Sequence, residues 1–200
     1  MTREPWLTKN RLETLVDGIF AIAMTLLVLN LKVPTMSDQQ AMADLPAALG
    51  RLWPHFFAFG LSFVLLASFW MAHHRQFHFI EKVDSVFIWL NVLMLGLIVL
   101  VPFSTSLMGE YEASHIAVVF FELNLFGIGV CMYLYWWYAG INNRLLSDKA
   151  TETTFRYGLK RSAVLPVVSL IAVGISLVSP QYSTIAFLLI PFTMATFLRR

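Results

Sequence analysis

Long apolar runs separated by short polar links dominate the chain. Runs near residues 12–33, 52–74, 84–107, 114–139, 160–178 and 182–198 are each close to the length needed to cross about 30 Å of hydrocarbon as a helix. The pattern predicts six membrane-spanning helices. The first is the least regular, because its uncharged stretch runs only from Gly18 to Leu31, between Asp17 and Lys32. The fifth and sixth are parted by little more than Ser179-Pro180-Gln181, where proline blocks helix continuation and predicts an antiparallel hairpin. The longest outer link, Thr35 to Gly50, is rich in Ala, Met, Asp and Gln and predicts a short helix outside the membrane. The segment from Asn142 to Tyr157 is polar and reads as solvated. No internal repeat, low-complexity tract or soluble domain stands out, so residues 1–200 are expected to form one six-span unit.

Composition supports an all-α integral membrane protein: 58% of the 200 residues are hydrophobic and only 13% charged, with a mean hydropathy of +0.70. A net charge of +2 with scattered basic residues excludes nucleic acid as a partner, since that requires a clustered basic footprint. The single cysteine, Cys131, has no intrachain partner and reads as a small core hydrophobe. A cleaved leader is not expected, because Glu13 and Asp17 interrupt the approach to the first run and Asn30, Lys32 and Pro34 stand where small residues would be required.

Lys and Arg accumulate on the cytoplasmic side of membrane proteins. Here Arg3, Lys9 and Arg11, then Arg75 and Lys82, then Arg144, Lys149, Arg156, Lys160 and Arg161, and finally Arg199 and Arg200 fall on one side, leaving only Lys32 and Arg51 on the other. Both termini are therefore expected in the cytoplasm.

Chemistry is sparse. No Gly-x-Ser-x-Gly, His-Glu-x-x-His, Walker loop or paired cysteine ligand occurs, so the chain does not read as an enzyme, and no cofactor is expected. His73 and His74 are adjacent, hence about 100° apart on a helix and unable to chelate one metal together. With Arg75 they fall at the depth of Asp17, which predicts a buried polar cluster between helices. Asp17 within a span is costly unless partnered. Arg11 lies about 9 Å of helical rise away on a different face, so each is expected to reach a neighbouring helix or subunit. In the fourth span Glu122 reads as a proton or cation site, or else Glu122 and Asn124 read as interfacial residues or helix-to-helix hydrogen bonds, and Asn91 invites the same caution. Trp6, Trp53, Trp70, Trp136, Trp137, Tyr111 and Tyr182 near span ends read as interfacial anchors.

Helical geometry gathers Leu15, Gly18, Ile22, Thr25, Leu26, Leu29 and Val33 into one stripe about 100° wide, with Asp17 about 140° from Ile22, so that if the stripe faced an aqueous path Asp17 would face packed protein. On pattern alone such a stripe is compatible with ordinary packing.

Arg11-x-x-x-Leu15-Val16-Asp17-Gly18, continued by Ile19-Phe20-Ala21-Ile22-Ala23-Met24-Thr25-Leu26-Leu27-Val28-Leu29, resembles the first helix of the transmembrane protein 175 family. Leu15 and Val16 depart from the family's Arg-x-x-x-Phe-Ser-Asp pattern. Lys32-Val33-Pro34, Phe69-Trp70-x-x-His73 and the six-span layout extend the likeness. The resemblance implies a potassium channel of the prokaryotic single-repeat type, a homotetramer in the lipid bilayer that lacks a TVGYG filter and whose first helices line a central pore. It implies pore positions Ile22, Thr25, Leu26 and Leu29, and a structural network of Arg11, Asp17, Trp70 and His73. Potassium would be the permeant ion, with no resident metal. A proton-coupled secondary transporter built on Glu122 or His73 and a non-conducting membrane scaffold remain as rival readings.

Overall fold

The computed structural model describes residues 8–190. Five of its helical segments are long and apolar enough to cross a membrane. α1 spans Lys9–Leu26 and tightens into a 3-10 turn over Leu27–Asn30. α2, Asp38–Arg51, is the short helix expected in the Thr35–Gly50 link. It starts at a capping box in which Ser37 and Gln40 satisfy one another's backbone donors. α3 (Trp53–His78), α4 (Ser85–Glu110) and α5 (His115–Gly140) are the long spans. The fifth is built from α6 (Glu152–Ser162) and α7 (Val164–Ser176), which meet at Ala163. After Pro180 the chain makes a single turn, α8 (Pro180–Ser183), and a 3-10 segment, Thr184–Leu188. The expected sixth span near 182–198 continues beyond the described residues, as do Arg3, Trp6, Arg199 and Arg200.

α4 and α5 pack along their lengths at the centre, α1 lies against α3 and α4, and α7 covers the opposite side of α5. In a bilayer these contacts draw on van der Waals fit and interhelical hydrogen bonds, because lipid tails are as apolar as the helices themselves. α1 commits one narrow seam to this core: Leu12, Val16, Phe20, Ala23 and Leu27 are all buried. At its end the Asn30 side chain donates to the Pro102 carbonyl of α4 at 3.0 Å, which pins the C-terminal end of α1 to the bundle.

Two expectations need correction. Asn142–Tyr157 is not simply solvated. Leu145 and Leu146 are buried, Glu81 N–H donates to the Leu145 carbonyl at 2.8 Å, and Ser147 N–H donates to the Phe79 carbonyl at 2.8 Å. The link doubles back because Asn142 and Asn143 take left-handed φ angles of 54° and 51°, a conformation asparagine tolerates. Trp136, in turn, is no interfacial anchor: it is 1% exposed, beneath α6, and its indole N–H donates to the Phe155 carbonyl at 3.1 Å. Gly140 and Gly158 permit that approach, since a Cβ at either would overlap Phe155 or Trp136.

Candidate functional site

The stripe of α1 opposite its buried seam has no partner among the described residues. Leu15, Gly18, Ile22, Thr25, Leu26, Leu29 and Val33 are all exposed, with Ile22 at 59% and Leu29 at 70%. Ile22 and Leu29 are two turns apart, so they form two apolar steps about 10 Å from one another along the helix. Thr25 lies between them. Its hydroxyl donates to the Ile22 carbonyl at 2.8 Å, so the proton is committed to the helix and the oxygen's remaining lone pair is left on the exposed face. A Cβ built on Gly18 meets nothing within 4 Å, which leaves that part of the stripe open as well.

The polar residues expected to cluster fall into two separate sets. Asp17 is exposed rather than turned into packed protein, and its Oδ1 accepts from the Trp70 indole N–H of α3 at 2.8 Å. His74 lies beside that Trp70, their ring centroids 6.1 Å apart. Arg11 is exposed and forms no ion pair or hydrogen bond with the described residues. His73 turns instead into the core. It is 2% exposed, Nε2 lies 3.0 Å from Asn91 Oδ1, and the ring stacks on Phe77. Asn91 in turn donates to the Phe87 carbonyl at 2.8 Å. Trp70 and His73 are three residues apart and point about 60° from one another, so one meets α1 while the other meets α4.

Beside His73 lies a buried chain that the sequence reading missed. Tyr135 donates to Gln76 Oε1, and Gln76 Nε2 donates to Ser162 Oγ at 2.7 Å. Ser162 passes the series on to the Gly158 carbonyl at 2.8 Å. Gln76 sits three residues after His73 on α3, and that spacing was its only signal; nothing local marks Tyr135 or Ser162.

Glu122 is fully buried, so it is not at an interface with water. Its carboxyl lies beside the Ser176 and Ser183 hydroxyls. Those hydroxyls donate to the Val173 and Pro180 carbonyls at 2.8 Å each, and among the described residues neither carboxyl oxygen has a hydrogen-bond partner of good geometry. Asn124 does join helices, donating to Ser104 Oγ of α4 at 3.2 Å. Among the described residues no group of three His, Cys, Asp or Glu side chains is placed to hold a metal.

Residues 11–102 match the family described as endosomal/lysosomal potassium channel TMEM175. A protein of Streptomyces collinus named as a potassium channel is 31% identical over 173 residues, covering 84% of this chain and 82% of its own. One of Chamaesiphon minutus, also named as a potassium channel, is 34% identical over 172 residues and 84% of each chain. The crystal structure of a lysosomal potassium-selective channel TMEM175 homolog from Chamaesiphon minutus superposes with a TM-score of 0.82 at 29% identity, over 94% of this chain and 96% of that one.

Proposed function

Since this chain belongs to the TMEM175 family of membrane channels, we propose that it is a potassium-preferring cation channel whose pore is lined by α1 from several copies. The observation that carries this reading is the free stripe of α1. Leu15 to Val33 offers apolar side chains, one glycine and one hydroxyl on a face that no other part of the described chain covers. A pore lined by one helix per chain needs copies arranged around an axis. Four copies, each forming one unit with both termini in the cytoplasm, match the family resemblance and the distribution of basic residues.

In this mechanism Ile22 and Leu29 form two apolar collars. Narrow apolar rings gate by dewetting, and when wider they pass an ion only after it sheds part of its water. Potassium holds its hydration shell less tightly than sodium, so the collars favour it without a charged ring or a carbonyl filter. Thr25 adds an acceptor between the collars, because its proton is already given to Ile22 and its oxygen is the atom left to face a cation. Leu26 widens the apolar wall. Asp17, held by Trp70, fixes the inner end of α1 against α3, while Asn30 fixes the outer end against α4. The stripe is thereby kept at a set angle to the bundle.

The test is flux through purified protein in liposomes under potassium or sodium gradients, with Ile22, Thr25 and Leu29 replaced together by serine. Potassium preference is expected to fall or the closed state to leak. Unchanged selectivity and gating in that variant would refute the collars. One observation favours the transporter reading, the buried Glu122 that has no hydrogen-bond donor among the described residues. It predicts saturable, pH-coupled flux abolished by Glu122→Gln, whereas a channel of the kind described conducts normally with that substitution.

A further inference from the structure

Of the three long spans, α4 alone has a proline in its interior, Pro102; α3 carries Pro54 in its first turn and α5 carries none. Proline has no N–H, so the Ile98 carbonyl four residues back loses the donor that an uninterrupted helix would give it, and the helix is weakest at that turn. Side-chain hydrogen bonds converge on the same place. Asn30, at the end of α1, donates to the Pro102 carbonyl at 3.0 Å, and Ser104 Oγ donates to the Val101 carbonyl at 3.0 Å. Asn124 of α5 donates to Ser104 Oγ at 3.2 Å, and the hydroxyls of Ser62 on α3 and Thr105 lie 2.7 Å apart. α1, α3 and α5 thus each reach residues 101–105 of α4. The first half of α4 is held separately: Asn91 meets His73 at 3.0 Å, and Asp84 accepts from the Tyr138 hydroxyl at 2.7 Å. Two halves anchored independently and joined at a proline have the anatomy of a hinge.

α1 changes character where it meets that hinge. It is α-helical through Leu26 and 3-10 over Leu27–Asn30, a transition of the kind that marks functional hinges. Leu29 belongs to this last turn, beside Asn30, whereas Ile22 belongs to the α-helical part. We propose that Pro102 is the hinge on which the pore gate turns and that Asn30 is the positioning residue that couples it to the pore. The later half of α4 and the last turn of α1 move together, carrying Leu29 toward or away from the axis while Ile22 keeps its place. This rests on the reading of α1 as the pore-lining helix.

The test is single-channel recording of the purified protein in planar bilayers with potassium and sodium. Pro102→Ala supplies the missing N–H and stiffens the turn, so open and closed dwells should lengthen about fivefold, the effect of one hydrogen bond. Unitary conductance and the potassium-to-sodium permeability ratio should stay as in wild type. Asn30→Ala frees Leu29 from α4, and the gate should flicker with shortened dwells. Adding Pro102→Ala to that variant should then change the dwells by less than about twofold, because the two residues act through one link. Asn91→Ala controls for destabilisation alone: it removes a buried hydrogen bond from the first half of α4 and should leave dwell times unaltered. Wild-type dwells in both Pro102→Ala and Asn30→Ala overturn the proposal, as do additive effects in the double variant or an equal disturbance in Asn91→Ala. Should Pro102→Ala fail to fold, unaltered dwells in Asn30→Ala are decisive against it. A failure of the collars looks different. There the serine variant of Ile22, Thr25 and Leu29 keeps wild-type selectivity and gating, whereas a failed hinge leaves that variant altered and the dwells of Asn30→Ala normal.

Discussion

The spans that contain α1 and α5, Lys9–Asn30 and His115–Asn143, are comparably apolar over their most hydrophobic 18 residues, yet 28% of that stretch is buried in the first and 56% in the second. α5 is enclosed by α4, α6 and α7, and buries polar side chains such as Glu122 and Asn124 along with its apolar ones. α1 touches the bundle along one seam and leaves its other apolar side uncovered. Hydropathy therefore does not distinguish a helix whose task is to hold the bundle together from one whose task is to present a surface. What separates them is which faces have partners, and the partners of the α1 stripe are not within its own described chain.

The strongest way to break this comparison is to exchange the faces. Phe20 is fully buried on the α1 seam, so Phe20→Ala should cost about 3–5 kcal/mol through lost packing and the cavity left behind. Ile22→Ala, two residues later on the free face, should change chain stability by less than about 0.5 kcal/mol while altering ion flux. Thermal unfolding in detergent beside liposome flux separates the two, and equal destabilisation would mean the stripe is an ordinary packing surface. Gly18→Leu sharpens the point. None of the described residues stands within 4 Å of its added Cβ, so the folded chain should tolerate it, whereas copies converging on an axis would not. Flux is expected to fall by at least about tenfold, and wild-type flux from this variant would remove Gly18 from the pore.

Smaller effects test the polar sets. Asn91→Ala leaves buried His73 without its partner and should destabilise the chain by about 1–2 kcal/mol, measured by unfolding, with ion preference retained. Trp70→Phe removes the donor to partly solvated Asp17 and should cost about 0.5–1 kcal/mol, chiefly loosening the N-terminal half of α1. The order matters: if Trp70→Phe proved the more damaging to the isolated chain, the division between a structural His73 and an α1-positioning Trp70 would fail.

Much of the fold was legible because membrane spans announce themselves by length. The runs near 52–74, 84–107 and 114–139 correspond to α3, α4 and α5 within a few residues. The α1 stripe was legible as a periodicity, and its exposure agrees with a face left without partners in its own chain. The polar network was not. Composition and depth put Asp17 and His73 at the same level of the membrane, but helical phase sends Trp70 to α1 and His73 to α4, and only the packing of α3 fixes that phase. Trp136 misled for a related reason: an indole near a span end normally meets the interface, and here α6 folds back over it.

By itself, the amino-acid sequence determined that the chain lies in a membrane and which residues of α1 share a face. These follow from hydrocarbon thickness and the 3.6-residue turn, both of which act locally along the chain. Tertiary structure decided which face of each helix is buried and how one expected cluster became two hydrogen-bonded sets. These depend on how helices distant in sequence rotate against one another, and in an environment as apolar as the side chains themselves that rotation is chosen by shape and hydrogen bonding, which no single segment encodes.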